Sequence, residues 1–207
     1  LKLKQTRRNL LASLASILGF SVFSQTASAA VLTPKSSEGP FYPRPNMRVA
    51  DTDNDLVKII GQIEEANGER FTLRGTIKSK DGTPRAGLRI EIWQCDVNGK
   101  YLHPGDDQAI RHDEAFQGFG HDVTDTNGHY VFRTIKPTTY PGRAPHIHVK
   151  VLDGELELLT TQFYIKDHSD NAGDFLFRRM SENEAESISM TFTDGETGIE
   201  ATIDVVV

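Results

Sequence analysis

Residues 140–148 read Y-P-G-R-A-P-H-I-H. One short segment thus holds a phenol, a guanidinium and two imidazoles, its path fixed by Pro141, Gly142 and Pro145. Tyr140, Arg143, His146 and His148 are residue types that bind metals, stabilise anions and move protons. In an extended strand, side chains two apart share a face, so His146 and His148 project together from one side of a sheet. That spacing is half of a metal site or an ordinary pair of bonded histidines, and alone it does not decide between them.

The remaining ligands determine the chemistry. Zinc would take a third histidine or a carboxylate, and copper a cysteine or methionine. Asp153, five residues after His148, offers a cupin-like divalent site. Strand parity opposes it, because 146, 148, 150 and 152 share a face while Asp153-Gly154 reads as an exposed turn. His103, His112, His121, His129 and His168 lie mostly in loops and read as solvated or locally bonded. Two tyrosines complete a more specific set: Tyr140, in a segment bounded by Pro137, Pro141 and Pro145, and Tyr101, which follows R-I-E-I-W-Q-C through the turn D-V-N-G-K. Phenolate is a hard anionic oxygen donor suited to Fe(III). A phenol ionises only near pH ~10, but a bound trivalent cation displaces its proton. Two phenolates and a hydroxide neutralise Fe(III), so the site can be buried without a large desolvation cost.

The elements that must position these groups are β. The runs F-T-L-R-G-T-I-K, L-R-I-E-I-W-Q-C and H-Y-V-F-R-T-I-K alternate with period two and are separated by K-D-G-T-P, D-V-N-G and T-N-G. Tyr130 and Phe132 share a face of the third run. His146–Leu152 reads as a strand closed by Asp153-Gly154, with Leu158–Ile165 as its hairpin partner. Residues 99–119 read as a long polar loop, S-E-N-E at 181–184 as a capping box opening one short helix, and I-E-A-T-I-D-V-V-V as a return to strand. Pro34, Pro40, Pro43 and Pro45 make an extended arm over residues 30–50. The expected fold is all-β: an antiparallel β-sandwich at 51–207 with long active-site loops and this proline-rich N-terminal arm.

Residues 1–29 read as a secretory leader: basic residues, the apolar run Leu10–Phe23, and small residues up to Ala29. The run is shorter than the ~20 residues of a membrane span, so no stable span is expected in the mature chain, a retained anchor being the alternative. Arg7-Arg8 resembles the twin-arginine class, which exports folded proteins, and places the protein in the periplasm or outside the cell. Taking Lys2, Lys4, Arg7 and Arg8 from the 23 basic residues leaves 19 against 29 acidic ones, a net charge of about −10. Nucleic-acid binding is excluded on that balance. The single cysteine, Cys95, rules out an intrachain disulfide and reads as a small apolar core residue.

Six ordered segments resemble the intradiol ring-cleavage dioxygenases, the non-haem Fe(III) family that includes catechol and protocatechuate dioxygenases. They are S-E-G-P-F-Y at 37–42, D-N-D-L at 53–56, I-E-I-W-Q-C-D-V-N-G-K-Y at 90–101, T-D-T-N-G-H-Y-V-F-R-T-I-K-P at 124–137, P-H-I-H at 145–148 and T-Q-F-Y at 161–164. The resemblance implies one ferric ion per chain, held by Tyr101, Tyr140, His146 and His148, with Tyr140 the ligand that leaves when substrate binds. It implies that Arg143 and Gln162 line the reacting face, Arg143 stabilising developing negative charge, and that Gly39, Pro40, Phe41 and Tyr42 form an arm closing one side. Substrates would be a catechol-type diol and O2, and products cis,cis-muconates. The Tyr140–His146 interval is shorter than in the protocatechuate enzymes, which leaves the identity of the substrate open and makes room for bulkier diols. The helical dimer contact of catechol dioxygenases has no counterpart, so homo-oligomer formation stays open. Two other classes remain: a secreted, non-catalytic β-sandwich binding module, and the cupin-like enzyme using Asp153.

Overall fold

The protein is described by a computed structural model over residues 31–207; the leader read at 1–29 lies outside the described residues. In chain order the strands are β1 (Arg70–Lys78), β2 (Arg89–Trp93), β3 (Phe119–Val123), β4 (His129–Ile135), β5 (His146–Asp153), β6 (Leu156–Ile165), β7 (Ser189–Met190), β8 (Phe192–Gly195), β9 (Gly198–Thr202) and β10 (Val205–Val206), with helix α1 (Glu182–Ser187) before β7. Two five-stranded sheets result. In the first, β1 pairs with β4 on one edge and with β9 and β10 on the other, and β8 closes the far side of β9; the second runs β3-β2-β5-β6-β7.

Alternation drives the packing. In β1 every second residue, from Phe71 to Ile77, is buried. Ile90 and Ile92 of β2, Ile147, Val149 and Val151 of β5 and Phe163 of β6 meet Leu73, Ile77 and Phe132 of the other sheet in one core. Each fully buried side chain of this size contributes about 1.5–3 kcal/mol. The Asn127-Gly128 turn leads into β4 as expected, Gly128 adopting φ +75°. Ser181 caps α1 in a capping box with Glu184.

The sandwich differs from the expected antiparallel one at its C-terminal strands. β1 runs parallel to both β9 and β10, and β6 runs parallel to β7. The 165–189 connection, which contains α1, carries the chain back across the sheet, so β7 cannot form a hairpin with β6. β3 extends the part of the chain read as loop: its F-G-H-D-V breaks the apolar alternation, yet it pairs with all of β2 from Arg89↔Val123 to Trp93↔Phe119.

The outer face of the second sheet is not solvated, because the arm covers it as a third layer. Ser36 N donates to Thr160 O (2.8 Å), Gln162 Nε2 to Ser37 O (2.9 Å) and Tyr42 OH to Glu91 (2.7 Å), while the start of the arm is tied to β10 of the first sheet by Thr33 N donating to Val206 O (3.1 Å). Lys150, also on this face, pairs with Glu38. Beneath the arm the register sets Trp93 beside His148 and His148 beside Gln162, with His146 opposite Tyr164 one row along. Among the described residues no helix is long and apolar enough to cross a membrane.

Candidate metal centre

Tyr101 is brought in by a tight loop after β2. The buried carboxylate of Asp96 accepts the N–H groups of Asn98 (2.8 Å), Lys100 (3.0 Å) and Asp113 (2.6 Å), drawing the loop closed. Gly99 sits at φ +76° where a Cβ would meet Thr139 O at 2.6 Å, so only glycine lets this loop touch the segment that carries Tyr140. Tyr140 then opens a turn in which Arg143 N donates to Tyr140 O (3.0 Å), with Pro141 and Gly142 (φ +82°) at the central positions. That is the type II turn expected of Pro-Gly, and it explains how six residues suffice between Tyr140 and His146.

The four side chains face one another. Ring centroids lie 5.4 Å apart for Tyr101 and Tyr140, 5.6 Å for Tyr140 and His146, 4.7 Å for His146 and His148, and 6.1 Å for His148 and Tyr101. His146 Nδ1 is 2.7 Å from Ala144 O, which makes Nδ1 the donor and leaves an Nε2 lone pair. That Nε2 lies 3.1 Å from His148 Nε2. His148 is stacked on the Trp93 indole at 4.8 Å and 10°, which fixes its ring plane. The Tyr101 hydroxyl is buried and has no hydrogen-bond partner among the described residues.

Arg143 borders this group. Its Nη1 is 3.2 Å from Tyr140 OH and 3.5 Å from His146 Nε2, its Nη2 donates to Gln162 Oε1 (2.6 Å) and Tyr164 OH (2.9 Å), and its Nε donates to Asp174 Oδ2 (2.8 Å). The arm supplies the other wall. Phe41 packs on Tyr101 (4.6 Å) and edge-on to Tyr140 (6.1 Å), and Gly39, at φ +74°, passes so close to His148 that a Cβ would lie 3.1 Å from its Cε1. A cavity of about 370 Å³ is lined by Gly39, Pro40 and Tyr42 with Arg44, Met47 and His103. Another, of about 440 Å³, opens on Tyr140, Arg143, Asp170 and Asp174. A depression of about 570 Å³ bounded by Arg74, His129 and Tyr130 lies on the first sheet and touches none of these residues.

Of the ten candidate residues, Tyr101, Tyr140, Arg143, His146, His148 and Gln162 come together with Gly39 and Phe41 of the arm, whereas Tyr42 reaches the group through Trp93 and Pro40 lines the neighbouring cavity. Asp153 does not join them; it is exposed at the far end of β5, with Oδ2 3.3 Å from Arg85. His129 pairs with Asp125, and His168 accepts from Asp170 N. Cys95 is buried, as expected, in a small cluster with Trp93, Tyr101 and Phe119, and burial pushes its thiol up to about 11. The residues that sequence reasoning missed are Trp93 against His148, Tyr164 and Asp174 around Arg143, and Glu91 and Lys150 beneath the arm. A polar outer face on β2 and β5 under a proline-rich arm was the one available signal.

The electrostatics suit a hard cation. Burial, reinforced by Arg143, lowers His146 to about 4, and burial with His146 and Arg143 beside it takes His148 well below the ordinary imidazole value, so both rings are neutral. Burial raises Tyr101 well above its usual value, and it raises Tyr140 against the opposing pull of Arg143. A bound cation would oppose that shift and favour the phenolate forms. Among the described residues no group of three His, Cys, Asp or Glu could hold a metal. The donor set of two neutral imidazoles and two phenols, one of them unpartnered, fits Fe(III).

A family model described as "Dioxygenase" matches residues 37–207. The chain belongs to the intradiol ring-cleavage dioxygenases. Within that family it is 35% identical over 120 residues to the protocatechuate 3,4-dioxygenase beta chain of Burkholderia cepacia, covering 54% of this chain and 51% of that one. It is similar in structure to the dioxygenase domain of a dioxygenase–carbohydrate-binding protein fusion from the cellulolytic bacterium Streptomyces sp. SirexAA-E (27% identity, TM-score 0.63, 86% of this chain and 98% of that one). A catechol 1,2-dioxygenase structure from Acinetobacter sp. ADP1 also matches (26% identity, TM-score 0.58, 84% of this chain and 62% of that one). The chain spans about half the length of the curated intradiol dioxygenases it matches.

Two predictions arise from this geometry. Gly39→Ala forces a side chain into left-handed backbone, costing about 1–2 kcal/mol, and presses it on His148. The expected result is a melting temperature lower by about 3–6 °C, read by thermal unfolding. The second concerns acid. The unfolded chain titrates His146 near the ordinary 6.5, whereas the folded iron-free protein binds that proton only near 4. Between those values the unfolded state holds more protons, so the stabilisation is complete above about 6.5 and declines as pH falls through the window. Urea unfolding of iron-free protein from pH 7.5 to 4.5 should show this fall, and His146→Gln should reduce it without abolishing it, because His148, also held well below the ordinary imidazole value, contributes in the same direction.

Proposed function

We propose that the protein is an exported, Fe(III)-dependent intradiol dioxygenase, opening catechol-type rings with O2 between the two hydroxyl-bearing carbons to give cis,cis-muconate-type products. The observation that carries this reading is the facing pair of imidazole Nε2 atoms, 3.1 Å apart, with a buried, unpartnered phenol beside them. Tyr101, Tyr140, His146 and His148 would hold one non-haem ferric ion per chain. Such an ion would supply Lewis acidity for the two diol oxygens and the one-electron redox chemistry that opens the ring to O2.

The chain's own groups do the rest. Tyr140 is the more exposed of the two phenols and opens a Pro-Gly turn, which suits the ligand that leaves and takes a diol proton. Arg143 is a fixed cation beside that position, able to stabilise the negative charge that develops on the ring and on oxygen. Gln162 and Tyr164 hold its Nη2, and Gly39–Tyr42 close the opposite wall and limit water. The short Tyr140–His146 turn and the 440 Å³ opening beside Arg143 support a preference for diols bearing bulky substituents, such as lignin-derived ones.

Oxygen uptake and product spectra with catechol, protocatechuate, hydroxyquinol and chlorocatechols test the reading. Uptake with formation of muconate-type products is expected; no uptake by iron-loaded protein with any diol overturns it. Turnover of unsubstituted catechol equal to or better than that of every substituted ring overturns the size preference. Export rests on the leader read at 1–29, and Arg7→Lys with Arg8→Lys should leave the protein in the cytoplasmic fraction.

A further inference from the structure

Arg143 owes its position to a residue outside every motif recognised in the sequence. Asp174 lies in the connection after β6, and its side chain is 0% exposed, against 8% for that of Arg143. Both of its oxygens are committed. Oδ2 accepts Arg143 Nε (2.8 Å) and Ala144 N (3.0 Å); Oδ1 accepts Leu176 N (2.9 Å) and Phe177 N (3.1 Å). One carboxylate therefore joins the connection after β6 to the segment between Tyr140 and His146.

We propose that Asp174 is a positioning residue for ring cleavage, setting the plane and reach of Arg143. The inference rests on the function proposed above. A guanidinium held only by its Nη atoms could swing about Cδ–Nε. The bond to Nε removes that freedom, leaving Nη1 aimed between Tyr140 OH and His146 Nε2 and Nη2 on Gln162 and Tyr164. Ala144 O is in turn the acceptor for His146 Nδ1, so the peptide units flanking Ala144 bind the aspartate on one side and orient a histidine on the other. Misplacement of a catalytic cation by about 1 Å costs on the order of a hundredfold in rate, although no contact to the substrate itself is lost. Asp174 also lines the cavity beside Tyr140 and Arg143, so its replacement alters that wall without touching the four proposed ligands.

The test is a double-mutant cycle on the iron-loaded protein, using Asp174→Asn, Arg143→Ala and the pair, with kcat, anaerobic diol affinity from the visible spectrum, and melting temperature measured for each. Asp174→Asn is expected to lower kcat by about thirtyfold or more while anaerobic affinity changes less than about threefold, and to add less than about threefold when Arg143 is already alanine. Independent, multiplying losses in the cycle overturn the proposal, as does a kcat within about twofold of the parent. Should Asp174→Asn not accumulate as folded protein, Asp174→Glu carries the same cycle, because it keeps the charge and moves the oxygens by one methylene. A parent protein that is inactive toward every diol defeats the functional reading instead, an outcome separate from a parent that is active but additive in the cycle.

Discussion

Replacing His148 by alanine is expected to abolish iron retention and lower ring cleavage by about a thousandfold or more. A Lewis-acidic cation contributes several kcal/mol of charge stabilisation, and each 1.36 kcal/mol is a factor of ten. His148 is held from both sides: Trp93 stacks on its ring at 4.8 Å, and Gly39 passes over its edge. No neighbouring donor replaces it, because the nearest other imidazole, His146, already faces the same point from 3.1 Å. The fold should survive, since the apolar core lies on the opposite face of β5 among Ile147, Val149 and Val151. Iron analysis together with circular dichroism separates loss of the metal from loss of the fold. A variant that keeps full iron and activity would remove His148 from the ligand set.

Arg143→Ala is the second large effect. A preorganised cation aimed at developing negative charge is worth about 10²–10³-fold in kcat. Its loss should leave iron content unchanged, because Arg143 is not among the four donors. It also leaves the Asp174 carboxylate buried without its partner, and breaking a buried pair in this way costs about 3–5 kcal/mol. A fall in melting temperature of roughly 6–15 °C should therefore accompany the kinetic loss. Arg143→Lys should recover little of either. An ammonium cannot satisfy Asp174, Gln162, Tyr164 and Tyr140 at once from the geometry a planar guanidinium uses. Steady-state kinetics, iron stoichiometry and thermal melts on the three proteins check this.

What could be read from the sequence follows from which interactions are local. The period-two alternation of β1, β4 and β5, the turn at Asn127-Gly128, the capping box at Ser181 and the pairing of His146 with His148 on one face all depend on neighbours within a few residues, and each appears where expected. β3 did not announce itself, because Gly120 and His121 interrupt its alternation and the strand is defined by its partner β2. The parallel pairing of β9 and β10 with β1 joins residues more than 120 positions apart and leaves no local trace.

The site divides along the same line. His146 and His148 were visible from spacing, whereas Tyr101 and Tyr140 sit on loops and became ligand candidates through chemistry and family resemblance. Glu91 and Lys150 occupy alternation positions that normally face water, and only the arm buries them, Glu91 against Tyr42 and Lys150 against Glu38. Asp174 was invisible for a related reason: nothing in N-A-G-D-F-L-F shows that its carboxylate reaches Arg143, 31 residues earlier.

The central claim is that two phenol oxygens and two imidazole nitrogens bind one ferric ion, and the visible absorption spectrum of iron-loaded protein, recorded with its iron stoichiometry, tests it most directly. One iron per chain and a red-brown phenolate-to-Fe(III) charge-transfer band are expected, shifted by anaerobic addition of a diol and altered in both Tyr101→Phe and Tyr140→Phe. A protein that stays colourless after reconstitution with iron, or whose band is indifferent to both tyrosines, contradicts the account.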